Sequence, residues 1–215
     1  MAVIFPSWTN KLPHAIGVGL PVVALAAIAG VWYFFSPEFT DVGYRPKQPI
    51  AYSHKVHAGD LGLDCRFCHN TIERGFYAAV PPAETCMLCH TTVRKERPTL
   101  TPLRLAFKQD KPIKWVRVHM LPDYAFFNHR VHLAAGVGCI SCHGRVDTMD
   151  VVEQKKSLSM GFCLDCHRNP TPNLRPVSQI TNMRWDAKIA NYDPKTDPHR
   201  KRTVEPPLHC SGCHR

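Results

Sequence analysis

No cysteine in this sequence is spare. Ten occur in 215 residues, and every one falls in a Cys-x-x-Cys-His motif. A disulfide framework would not space all its cysteines alike, and no pair is left over to form one. Acidic side chains are also scarce, 17 against 27 Lys plus Arg, for a formal net charge of +10. Charge is missing altogether from residues 15–35. In contrast, proline is plentiful, with 19 residues, or about 9% against a usual ~5%. That much proline favours a loop-rich chain with short helices, one or two modest domains in size.

The motifs are Cys65-Arg-Phe-Cys68-His69, Cys86-Met-Leu-Cys89-His90, Cys139-Ile-Ser-Cys142-His143, Cys163-Leu-Asp-Cys166-His167 and Cys210-Ser-Gly-Cys213-His214. Cys-x-x-Cys-His is the c-type haem attachment signature. Two thiols form thioethers to the haem vinyl groups, and the adjacent histidine turns in to ligate iron. Zinc ribbons also use Cys-x-x-Cys pairs, but they are completed by a second pair and do not require His after each. A thioredoxin-like motif would occur once, near a βαβ pattern. The reading is therefore five covalently bound c-type haems, with Cys65, Cys68, Cys86, Cys89, Cys139, Cys142, Cys163, Cys166, Cys210 and Cys213 as thioether sites. His69, His90, His143, His167 and His214 are the proximal iron ligands. Each haem carries two propionates, so five offset a charge of +10. The basic balance is a counter-charge for cofactors, and no nucleic-acid partner is implied.

The uncharged stretch at 15–35 has 21 residues, enough at ~1.5 Å per residue to cross a ~30 Å hydrocarbon core. Trp32, Tyr33, Phe34 and Phe35 stand where an interfacial aromatic belt belongs. The alternative, a cleaved signal peptide, has an apolar region of only ~7–15 residues. Haem attachment follows export, so the chain beyond residue 36 is expected on the extracytoplasmic side of a bacterial cytoplasmic membrane. The expected layout is a cytoplasmic tail (1–14), a single-pass anchor (15–35), a Pro-rich connector (36–50) and a periplasmic pentahaem domain (51–215). That domain reads as a first haem unit (51–90), an insertion (91–125) and a second unit (126–215).

The units repeat. Ala51-Tyr-Ser-His54-Lys-Val-His57 precedes the first motif and Phe126-Phe-Asn-His129-Arg-Val-His132 precedes the third, each followed by two motifs. This is a duplication with a fifth motif added at the end. Between them, Ile113–His119 alternates as a strand would, and Met183–Ala190 reads as a short helix. Residues 91–128 and 168–209 lack haem motifs and are the expected partner-facing loops.

A low-spin haem needs a sixth ligand, usually His or Met. His54 and His57, like His129 and His132, are three apart and share one face of a helical turn, so each can reach a different haem. This His-x-x-His upstream of Cys-x-x-Cys-His resembles the cytochrome c3 and c7 group. The resemblance implies a mostly irregular fold with short helices, in which the first histidine completes its own haem and the second a neighbour. His54 would then serve the first haem, His129 the third, and His57 and His132 the second and fourth. In the trihaem pattern the last ligand lies just upstream of the middle motif, which points to Met160; His119 is the rival. Met ligation would raise one haem's potential above the rest. His14, His199 and His209 are read as non-ligands.

The supply of sixth ligands meets the demand of five, and no Cys-x-x-Cys-Lys variant is present. Electron transfer rather than catalysis follows, with no catalytic residue. At 180 residues from Ser36 to Arg215, the porphyrins must supply much of the apolar interior. Taken together, the anchor, the five motifs, the doubled His-x-x-His and the runs KWVRVHMLPDYAFFNHRVH and LSMGFCLDCHR closely resemble the membrane-anchored pentahaem cytochrome c subunits of bacterial alternative complex III. That resemblance implies a quinol:electron-acceptor oxidoreductase. The expected partners are a large periplasmic iron–sulfur, molybdopterin-like subunit, polytopic quinol-site subunits, a monohaem cytochrome c, membrane lipid and a periplasmic acceptor or oxidase. The runner-up is a NapC/NirT-type membrane-anchored quinol dehydrogenase.

Overall fold

A computed structural model describes residues 4–199 and 203–214. The chain divides into two compact units, Met1–Asp41 and Val42–Arg215. The first contains a 3₁₀ turn (Ser7–Lys11), helix α1 (Leu12–Phe34) and the short α2 (Pro37–Thr40). Pro13 starts α1 without losing a hydrogen bond, because the first helical amides have no intrahelical partner. Pro21 lies inside it. Among the described residues this is one helix long and apolar enough to cross a membrane.

The second unit is made of short helices and turns. In order come a π-helical turn (Lys55–Asp60), α3 (Cys65–Cys68), α4 (Ala83–His90), α5 (Thr101–Lys108), α6 (His129–Ala134), α7 (Ile140–His143) and α8 (Met160–Arg168), with 3₁₀ turns between. Two isolated bridges, Ala125 with His214 and Val137 with Leu174, are the β pairings among the described residues. The expected strand at Ile113–His119 is absent. Trp115 N donates to Ile113 O at 2.9 Å, and the partner of the next residue is a side chain: Gln48 Nε2 donates to Val116 O at 2.8 Å, and Val116 N donates to Gln48 Oε1 at 2.9 Å. The expected helix at Met183–Ala190 is likewise a series of turns. Asp186 Oδ1 accepts from the amides of Lys188 and Ile189, a local pattern that competes with helix.

Two small apolar clusters hold this unit. Ile50, Ala83, Met87 and Leu103 pack α4 on α5, with Cys86, Ile113 and Trp115 against them. Ile72, Leu133 and Ile180 form the second, with Cys139 at its edge. It therefore joins segments following the first motif, preceding the third and following the fourth.

Candidate functional site

Each motif is wound into a helical turn, which sets its two cysteines three apart on one side. The first lies on α3, the second at the end of α4, the third on α7, the fourth within α8 and the fifth on the 3₁₀ turn Cys210–Gly212. The backbone amides of His69, His143 and His214 close these turns on the carbonyls of Cys65, Cys139 and Cys210, at 2.9, 3.0 and 2.9 Å. Asp64 caps α3, accepting from Arg66 N at 2.8 Å. No two of the ten cysteines are joined as a disulfide.

The histidines are oriented by their ring nitrogens. Nδ1 of His69 donates to Ala79 O at 2.8 Å, His90 to Val93 O at 3.0 Å, His167 to Pro207 O at 2.8 Å and His214 to Tyr124 O at 3.1 Å. Upstream, His57 donates to Ser53 O, His132 to Asn128 O and His129 to Phe76 O, at 2.8, 2.8 and 2.9 Å. A carbonyl can only accept, so Nδ1 carries the proton and Nε2 keeps its lone pair. This is the usual second interaction of a metal-ligating histidine.

These rings face one another in pairs. His57 and His90 have centroids 6.2 Å apart, His132 and His167 6.1 Å, and His129 and His143 6.5 Å. An imidazole nitrogen sits ~2 Å from its metal, so two rings on opposite sides of one iron have centroids about 6 Å apart. The residues fit haem iron on that ground. Among the described residues no three His, Cys, Asp or Glu converge as a closed metal site would require.

Both His-x-x-His pairs do lie on a helical turn, one π-helical after His54 and one in α6. Burial pushes His54 and His119 down to about 4 and His143 to about 3, and lowers His132 as well. All four are therefore neutral near pH 7, the state a ligand or acceptor needs. His54 is within electrostatic reach of His69, and its buried Nδ1 has no partner. Met160 is exposed at the start of α8, one turn before Cys163. His119 is turned onto a motif histidine, its Nε2 3.2 Å from His143 Nδ1. His209 pairs with Ser211 Oγ at 3.0 Å, and His14 lies in α1.

Two aromatic residues escaped the sequence reading. Tyr52 stacks on His57 at 4.4 Å and meets His54 edge-on at 4.8 Å. Phe127 lies tilted by 32° against His132 at 4.5 Å and meets His129 edge-on at 4.8 Å. Each stands two residues before the first histidine of its pair, so aligning the two repeats would have found them.

The motifs also have a spatial order. The turn after His54 links the first and second motifs through His57 and His90. Cys139 N donates to Ile180 O at 3.0 Å, and Thr181 Oγ1 donates to Asp64 Oδ2 at 2.9 Å, so the segment at 180–181 joins the first to the third. His132 links the third to the fourth, and Pro207 O links the fourth motif's His167 to the segment entering the fifth. The sequence of neighbours is second, first, third, fourth, fifth.

No protein-family model matches the chain. It is 38% identical over 173 residues to the menaquinone reductase, multiheme cytochrome c subunit, of Nitratidesulfovibrio vulgaris (strain Hildenborough), covering 71% of this chain and 79% of that protein. The chain belongs to that family of multihaem cytochrome c subunits. As a multihaem cytochrome c subunit it carries electrons in a quinone oxidoreductase.

Proposed function

We propose that this multihaem cytochrome c holds five c-type haems and relays electrons within a membrane complex that exchanges them between the quinone pool and a periplasmic carrier. The observation that carries the reading is the set of three facing histidine pairs at 6.1–6.5 Å with their Nδ1 atoms held by neighbours. When bound, the haems supply one-electron redox centres. The chain's contribution is to hold them in fixed order and orientation. His69 with His54, His90 with His57, His143 with His129 and His167 with His132 are the proposed axial pairs. Met160 is the proposed partner of His214, on the strength of its place at the start of α8 one turn before Cys163. The order of the motifs makes the second and fifth the ends of the relay.

Helix α1 is proposed as the anchor, with residues 51–215 as a periplasmic domain of two cytochrome c3/c7-like units. The proposed assembly is of the alternative complex III kind. It would contain a large iron–sulfur, molybdopterin-like subunit, polytopic quinol-site subunits and a monohaem cytochrome c. The relative's name favours a second reading, in which electrons run towards menaquinone. Purification of the tagged chain from its native membrane tests these readings. Five haems per chain by pyridine haemochrome, with the large and polytopic partners present, support the proposal. Haem reduction by added quinol marks the oxidising direction, and haem oxidation by added quinone marks the reducing one. A chain that purifies alone and itself oxidises menaquinol is a NapC/NirT-type dehydrogenase.

A further inference from the structure

His143 differs from the other motif histidines in what it leans on. His69, His90, His167 and His214 each donate Nδ1–H to a backbone carbonyl. His143 Nδ1 instead meets the ring of another histidine: His119 Nε2 lies 3.2 Å away, the rings are perpendicular at 83°, and their centroids are 4.3 Å apart. That separation is too short for an iron between the two rings, which needs about 6 Å. The opposite neighbour, His129, stands at 6.5 Å with its ring within 7° of parallel. The tertiary contact crosses 24 residues and is held from behind, because Arg117 Nε donates to His119 O at 3.0 Å.

We infer that His119 is not an axial ligand but a positioning residue, accepting a hydrogen bond from His143 Nδ1 and setting that ring's orientation and basicity at the third haem. The inference rests on the five-haem reading above. With His143 Nε2 kept for iron, the one proton on its neutral ring is on Nδ1, so His143 donates and His119 Nε2 accepts. His119 then carries its own proton on Nδ1. An acceptor behind a ligating imidazole makes it a stronger donor to metal. A stronger donor favours ferric over ferrous iron, so the third haem is held at a lower potential than a ring without an acceptor would give.

The test uses the full haem-loaded chain in its purified complex, carrying His119→Phe, which fills the space without an acceptor, or His119→Gln, which restores one. Pyridine haemochrome on the unaltered protein comes first: fewer than five haems fails the five-haem reading itself, independently of His119. In His119→Phe the expected result is five haems, all low-spin by near-infrared magnetic circular dichroism, with one midpoint moved positive and four unmoved. His119→Gln is expected to return that midpoint towards the original. A new high-spin haem in either variant would make His119 an axial ligand and overturn the inference, as would five unchanged midpoints.

Discussion

At His57, His129 and His132 a backbone carbonyl decides which ring nitrogen remains available. Ser53, Phe76 and Asn128 each accept the Nδ1–H through a carbonyl, so Nε2 keeps its lone pair. Removing one such ring has a defined spectroscopic result. His57→Ala is expected to leave five haems attached while converting the second from low-spin to five-coordinate high-spin, read by electron paramagnetic resonance. Met160 makes the opposite kind of prediction, because a thioether ligand raises the potential that an imidazole would give. Met160→His should abolish a Met–Fe charge-transfer band in the near infrared and lower one midpoint. A protein with no such band before substitution would return the fifth position to another ligand.

Among the elements, the π-helical turn and α3 carry the clearest constraints. Gly59 packs so closely under the 3₁₀ turn at Val146–Thr148 that an added Cβ would overlap Asp147 O, a backbone atom. Gly59→Ala therefore forces the two turns apart, at a cost of about 1–3 kcal/mol, visible as a lower thermal midpoint by circular dichroism. Asp64 caps α3 and binds Arg66, whose side-chain hydrogen bond is the main reason its carboxyl is held down at about 2. A depressed carboxylate stabilises the fold above its ordinary pKa near ~4. That contribution is lost as pH falls from there towards 2. Asp64 is largely exposed, and solvent screening limits the effect to on the order of 1 kcal/mol or less. Acid titration of stability should show a step between pH ~4 and ~2 that Asp64→Asn lacks.

For the whole molecule, the division at Asp41 and Val42 separates an apolar helical unit from the unit carrying every motif. A chain beginning at Val42 and exported for haem attachment is expected to remain in the aqueous fraction with five haems, whereas the full chain requires detergent. Recovery of the truncated chain in the membrane fraction would locate the attachment elsewhere.

Much of this was legible beforehand because haem attachment is written locally: thiol, thiol and imidazole must lie within one turn, so five residues specify each site. The duplicated His-x-x-His was legible for the same reason, and so was the apolar length of α1. Ile113–His119 and Met183–Ala190 misled because periodicity reports which side chains alternate, not what the backbone bonds to. Gln48 and Asp186 supplied the missing partners. The order second, first, third, fourth, fifth and the contact of His119 with His143 were decided by the tertiary structure alone. They depend on pairings between segments tens of residues apart, such as Asp64 with Thr181 and His167 with Pro207, and no local spacing encodes which distant segment closes on which.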